Sequence, residues 1–365
     1  MSNLGFSGSY QPNDVSFLLR KLNIAHTNVE DKEKLIQSGK KHYSEMISLE
    51  NPPTENHWEN FNYALEHFGS RMALETQLLG NALLDRLNPE KPIILVSLVR
   101  AGVPLGVLLK NHISKHRACF HYGISIVRDK GIDQAALNHI MLNHPNDLEN
   151  IVFVDGWTGK GAISRELTSS LKGMPVFFEH GMSIPKLVTL SDLAGGAWLA
   201  SSRDDWLIPS GILGSVVSGL ISRSIIDEHA KNGDLHGCVE YSHLQEHDIS
   251  QKFIEDLTNQ MNQQPTSDKC VWSDADRAIQ KVKSDDVVAF IQSEYQIDNI
   301  NRIKPSIAEA TRAVLRRVPD RILLREPDDK NTLLLRHLAQ KNNVPVDVVG
   351  NLLGNYHAVT VIKSV

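Results

Sequence analysis

Short apolar runs alternate with stretches of helical period along most of this chain, a pattern that predicts an α/β fold. Residues 92–97, 120–127 and 151–154 are dominated by apolar and β-branched side chains, as in strands covered on both faces. Apolar positions recur every three or four residues elsewhere, predicting helices from 100 to about 116 and over 163–171. A longer helix is expected over 57–87, where Phe61, Ala64, Leu65, Phe68, Met72 and Leu79 fall at helical spacing. The order β-α-β-α predicts a parallel sheet. Pro175, Val176, Phe177 and Phe178 suggest a fourth strand. The Gly-, Ser- and Trp-rich stretch 187–224 reads as loops, with a helix from about 215 to 230. A helix over 251–268 runs into the polar stretch 259–266. Beyond 300 comes a second alternation: helix 306–318, strand 321–325, helix 331–342, strand 344–349 and strand 358–362. The expected organisation is residues 1–262, a linker and helix over 263–300, and a small domain over 301–365.

Where the third run ends, the chain reads Asp155, Gly156, Trp157, Thr158, Gly159, Lys160, Gly161, Ala162. The acid stands at a strand's carboxyl end, where ligands bind in open parallel sheets. Closely spaced glycines let the backbone approach an anion. The helix starting near Ala162 offers free N–H groups and the positive end of its dipole. Two other strand ends carry cations: Arg100, Ala101 and Gly102 after the first run, and Arg128, Asp129 and Lys130 after the second. On one edge of a parallel sheet, the three loops suit a ligand with a monophosphate and a pyrophosphate.

Bulk composition narrows the partners. With 365 residues, 41% hydrophobic and 22% charged, the chain is expected to be a globular protein of about two domains. A net charge of −5 leaves no global basic footprint, so nucleic-acid contacts must be local. The start at Met1, Ser2, Asn3, Leu4, Gly5 lacks signal-peptide character. No apolar span reaches the roughly 18–20 residues of a membrane helix, so a cytoplasmic protein without a membrane partner is expected. Cys119, Cys238 and Cys270 are scattered and odd in number, against a disulfide framework or zinc site. Cys238 lies near His236 and His243, the pairing a cysteine protease needs, although no local protease signature is present. Cys119, in an apolar run, reads as inert. His121, His139 and His144 contain no i, i+4 pair, and no metal-ligating residue is expected.

The segment from Val152 to Gly161 resembles the signature loop of type I phosphoribosyltransferases. Together with Phe6-Ser7-Gly8-Ser9-Tyr10, Arg100-Ala101-Gly102 and His121-Tyr122-Gly123-Ile124-Ser125, it is similar to a bacterial stress-response group linked to tellurium resistance. Some of that group carry the label cysteine protease StiP. Its members join a phosphoribosyltransferase-like parallel-sheet domain to a small α/β/α RNA-binding domain of the Pelota and ribosomal L7Ae type. Val344-Pro345-Val346 and the residues from Gly350 to Ala358 resemble the latter.

The resemblance implies Mg²⁺-assisted transfer of ribose phosphate from phosphoribosyl pyrophosphate, or a related sugar phosphate, to a base-like acceptor the sequence does not identify. It implies that Thr158, Gly159, Lys160, Gly161 and Ala162 cradle the 5′-phosphate, and that Asp155 holds the ribose hydroxyls. Arg100, Ala101 and Gly102 would hold pyrophosphate, with Arg128 and Lys130 closing over it. The family loop has two adjacent acids, and here Gly156 stands at the second position, removing a carboxylate for ribose and metal. A non-catalytic nucleotide-sensing, RNA-binding protein is therefore the alternative, and a cysteine protease the lesser one. A homodimer is the default expectation.

Other readings of these residues stay open. A Walker-type loop fits poorly, because Gly156 and Gly159-Lys160 are too close and Gly161 replaces the Ser/Thr. A purely structural turn is the bland reading. Trp198, Trp206 and residues 209–214 are either a hood over a base or ordinary packing. Arg302, Lys304, Arg312, Arg316, Arg317 and Arg321 form a basic patch suited to salt-sensitive RNA contacts, or a solvated helix face opposite Ala308, Val314 and Leu315.

Overall fold

Strand Ile93–Leu98 has all six side chains buried, and it is the centre of a seven-stranded sheet. Its residues divide between two cores: Ile94, Val96 and Leu98 face one, and Ile93 and Leu95 the other. Two apolar faces demand cover on both sides. Helices Glu55–Arg86, Val103–Ile113 and Ser250–Gln263 pack together on one side, and Gln134–Asn143 and Ala162–Ser170 contribute to the core on the other. The structure is a computed structural model and describes residues 5–364. Residues 1–4, read above as lacking signal-peptide character, lie outside it.

The strand order is Ser16–Phe17, Cys119–Ile124, Ile93–Leu98, Ile151–Val154, Leu187–Asp192, Leu199–Ser202, with every pairing parallel. The short strand Trp157–Thr158 also joins Leu187–Asp192. The sheet thus has the expected parallel α/β form, with several elements differently placed. Pro175–Phe177 is a 3-10 turn, and the next strand is Leu187–Asp192, inside the stretch expected to be loops. That strand mixes Thr189, Ser191 and Asp192 with its apolar residues; Ser191 donates to the Asp204 carbonyl and Asp192 accepts from Thr158, partners that only the fold supplies, while the buried Thr189 hydroxyl has none among the described residues. The helix expected over 215–230 is a 3-10 turn at Gly214–Val217 followed by irregular chain. Ser16–Phe17, from the polar start, supplies an edge strand.

The second unit is a four-stranded sheet in the order Ile303–Pro305, Ala358–Ile362, Pro319–Leu324, Val346–Val348. Helix Asp274–Glu294 contributes Val287, Val288 and Ile291 to the core on one of its faces. Helices Ile307–Arg316 and Leu333–Lys341 pack against each other, and their apolar faces merge with the larger core of the first unit. The result is an α/β/α C-terminal domain pressed against the first. No helix among the described residues is long and apolar enough to cross a membrane.

Candidate functional site

The chain crosses from one side of the central strand to the other between Cys119–Ile124 and Ile151–Val154, so the sheet's switch point lies between Ile93–Leu98 and Ile151–Val154. A crevice at the carboxyl ends of these strands is where an open α/β sheet binds ligands. Asp155 directly follows one of these strands, and Arg100 lies two residues past the end of the other. Their backbones meet closely: a Cβ on Gly102 would lie 2.1 Å from the Val154 carbonyl oxygen, so only glycine fits there. Loss of hydration pushes the Asp155 carboxyl up to about 7, against the Gly156 N–H it accepts and the nearby Arg312.

The glycine-rich loop is covered by the C-terminal domain. Gly159 lies so close that a Cβ there would stand 2.6 Å from Glu309 Oε1 and 2.9 Å from the Pro305 carbonyl. The Tyr356 hydroxyl donates to the Gly159 carbonyl (2.8 Å), and Lys160 donates to the Ile300 and Ile303 carbonyls (2.5 and 2.7 Å). Burial pushes the Lys160 ammonium down to about 8. Thr158 donates to Asp192, whose carboxylate also accepts the N–H groups of Ala194, Gly196 and Ala197. Gly161 (φ 72°) starts helix Ala162–Ser170 as expected. The loop expected to cradle a phosphate is, in this arrangement, a domain interface.

Asp205 secures that interface. Its carboxylate, from the first domain, accepts the backbone N–H of Ile307 (3.0 and 3.1 Å) and of His357 (2.9 Å), both in the C-terminal domain. Burial pushes its carboxyl up to about 6. The His357 imidazole, in turn, pairs with Asp329 at 2.5 Å. Nothing in the sequence marks Asp205, because its partners are backbone groups about a hundred residues away or more.

Beside the covered loop a cavity of about 400 Å³ stays open between the domains. Arg100 and Ala101 line it, as do Lys32, Glu50, Trp157, Arg223 and Tyr241 of the first domain and Arg312 and Arg316 of the second. Arg100 binds both Glu50 oxygens (2.7 and 3.1 Å), and Arg316 reaches the same carboxylate at 3.5 Å. Burial opposes ionisation of Glu50, but Arg100 and Arg316 outweigh it and hold the carboxyl at about 2. Arg312 lies over the Trp157 ring, 5.7 Å from its centroid. Glu50 was missed by sequence reasoning: it precedes a Pro-rich break and belongs to no motif.

The remaining expected site residues lie apart from this cavity. Arg128 donates to Asn301 (3.2 Å) and sits over Tyr43, and Lys130 is exposed at the tip of a two-stranded ribbon. The basic patch is not an open RNA-facing surface. Arg312 and Arg316 point into the cavity, Arg317 binds Glu33 of the first domain (2.6 Å), and Arg302 and Arg321 bond within their own domain. A magnesium site does not form from these residues. Asp155 is the lone acid of the loop, Asp192 is saturated by protein donors, and no metal-holding cluster occurs among the described residues.

The three thiols are all free, and burial pushes each up to about 12. Cys238 lies fully buried on the short strand Gly237–Cys238. His236, two residues before it, shares a hydrogen bond with Ser125 Oγ at 2.7 Å.

Comparison with known proteins settles the family. Residues 8–258 match the model of the tellurite-like stress resistance cysteine protease StiP family, and residues 282–364 match the PELOTA RNA binding domain. The chain is 53% identical to "Cysteine protease StiP" of Acinetobacter baylyi (strain ATCC 33305 / BD413 / ADP1), across 99% of this chain and 95% of that protein. No solved structure matches. This chain belongs to the StiP family and ends in a Pelota-type domain. These findings correct the expectation of ribose-phosphate transfer and its nucleotide-sensing alternative. The family and the relative are both described as cysteine proteases, which favours the reading held least above.

Proposed function

We propose that this chain acts in stress resistance as a thiol-dependent protease of the kind its relative is named for, with Cys238 as the nucleophile. The observation that carries the reading is the 53% identity over nearly the full length of both proteins. Cys238 has His236 and His243 in its own segment, as Cys119 has His121, and what sets Cys238 apart is that Tyr241 of its segment lines the interdomain cavity. Its strand spacing from His236 places the two on one side of the chain. In the closed arrangement the thiol is protonated and His236 is held by Ser125, which corresponds to a resting form. Activity requires His236 to leave Ser125 and take the thiol proton, since the thiolate is the nucleophile. The thiolate then adds to the scissile carbonyl, the imidazolium protonates the departing amine, and water releases the acyl group. The test is cleavage of fluorescent casein by the purified chain. Cys238→Ala abolishes it while Cys119→Ala and Cys270→Ala retain it; full activity in Cys238→Ala contradicts the assignment.

The finer fold reading goes with this proposal: a phosphoribosyltransferase-like sheet over residues 1–262, carrying no transferase chemistry, linked through 263–300 to the domain over 301–365. The acid and glycine-rich loop at the switch point support it. The Pelota match favours a second role, RNA binding by the C-terminal domain. Filter binding of a structured RNA across a salt series tests it. Binding that strengthens in Asp205→Ala is expected, because the basic helix is then released from the first domain. Equal binding in both proteins places the RNA on another face.

A further inference from the structure

Beside the matched groups of the glycine-rich loop stands an amine that is not matched. Lys304 lies on strand Ile303–Pro305, where Ile303 faces the core shared with helix Asp274–Glu294 and Lys304 alternates to the opposite face. It stands across from Thr360, whose hydroxyl donates to the Ala310 carbonyl of helix Ile307–Arg316. The Lys304 side chain is half-buried, and its amine makes no hydrogen bond or ion pair among the described residues. The charged groups facing it are Lys160, Arg128 and Arg317, with Glu309 alone opposing them. Those cations have other partners: Lys160 donates to the Ile300 and Ile303 carbonyls, Arg317 binds Glu33, and Arg128 donates to Asn301.

Arg128 carries a second unmatched group. Its Nε is buried without a hydrogen-bond partner, since the largely exposed Asp129 carboxylate stands 3.5 Å away and does not accept from it. Buried donors in native proteins are almost always paired, so an acceptor is missing between this ribbon of the first domain and the strand of the second. Burial, with Lys160, Arg128 and Arg317 beside it, pushes the Lys304 ammonium down to about 7. Near neutral pH roughly half of the side chain is therefore a free amine with its lone pair available. A small uncharged electrophile that turns such an amine into an anionic oxygen acceptor answers both unmatched groups. Carbon dioxide has that chemistry.

We infer that Lys304 is a carbamate-forming site, which takes up carbon dioxide and presents the resulting anionic oxygens to Arg128 and Lys160. The amine lone pair forms an N–C bond to carbon dioxide, one C=O π pair moves onto oxygen, and the nitrogen releases one proton to water. Nothing is oxidised or reduced. A repelled ammonium is replaced by an acceptor for Arg128 Nε, which ties the C-terminal domain to the first domain's ribbon. Closure of the domains thereby responds to dissolved carbon dioxide. The inference stands apart from the protease reading, since neither Lys304 nor Arg128 belongs to the segment of Cys238.

The test incubates the full chain with isotopically labelled bicarbonate near pH 8, traps carbamates with triethyloxonium and maps them by peptide mass spectrometry. A labelled ethyl carbamate is expected on Lys304, at least about tenfold above that on the exposed Lys252. Arg128→Gln lowers it about tenfold, because the acceptor loses its donor and the ammonium loses a repelling charge. Bicarbonate raises the melting temperature of the parent chain and leaves that of Lys304→Met unchanged. No label on Lys304, labelling equal to that of Lys252, or labelling undiminished in Arg128→Gln overturns the inference. So does a bicarbonate effect on melting that Lys304→Met retains in full.

Discussion

Two neighbouring surfaces of the first domain meet the C-terminal domain differently. The loop from Asp155 to Gly161 is filled: Lys160 finds two carbonyls, Gly159 admits Glu309 and Pro305, and Tyr356 closes over the Gly159 carbonyl. The cavity beside it keeps its space and collects six lysines and arginines around one carboxylate. Both carry the glycines and basic residues that signal an anion site in a sequence. What separates them is whether polar groups are matched. Where donors meet acceptors one for one the surface is an interface, and where charge is left over it can take a ligand.

The contrast breaks most sharply at Asp205. Asp205→Ala leaves the Ile307 and His357 amides without acceptors, and a loss of about 2–4 kcal/mol in urea unfolding is expected, with the C-terminal domain cleaved faster by trypsin. Gly159→Leu wedges the filled surface apart and costs about 1–3 kcal/mol by the same measurement.

Lys304 sharpens the comparison, since it lies at the filled surface near Lys160 and Glu309, and burial pushes it down to about 7 from 10.5. Between those values the unfolded chain binds more protons than the folded one, so this group's contribution improves as pH rises from about 7 towards 10. Lys304→Met therefore gains about 1 kcal/mol at pH 7 and flattens that part of the stability–pH profile. The smallest effect is at the cavity wall. Gly211→Ala puts a Cβ 3.4 Å from Trp157, in open enough space that stability changes by less than about 0.5 kcal/mol.

Much of the sheet was legible because its central strands are continuous apolar runs. Ile93–Leu98 and Ile151–Val154 follow the pattern closely, as does helix Glu55–Arg86. Leu187–Asp192 was hidden by Thr189, Ser191 and Asp192, all buried, of which Ser191 and Asp192 bond to Asp204 and Thr158 elsewhere in the chain. The strand-end placement of Arg100 and Asp155 was readable, as was the Pelota-like ending. The closure of one domain on the other was not, since an arginine run on a helix reads alike whether it meets solvent, RNA or Glu50. The glycines of the loop permit close approach without saying what approaches.

Hydrogen exchange of the full chain, followed by mass spectrometry over residues 155–163 and 303–310, tests the closed interface most directly. Slow exchange is expected in both segments, with protection lost together in Asp205→Ala while Ile93–Leu98 stays protected. Fast exchange of both segments in the parent chain, at the level of an exposed loop, contradicts the closed arrangement on which this account stands.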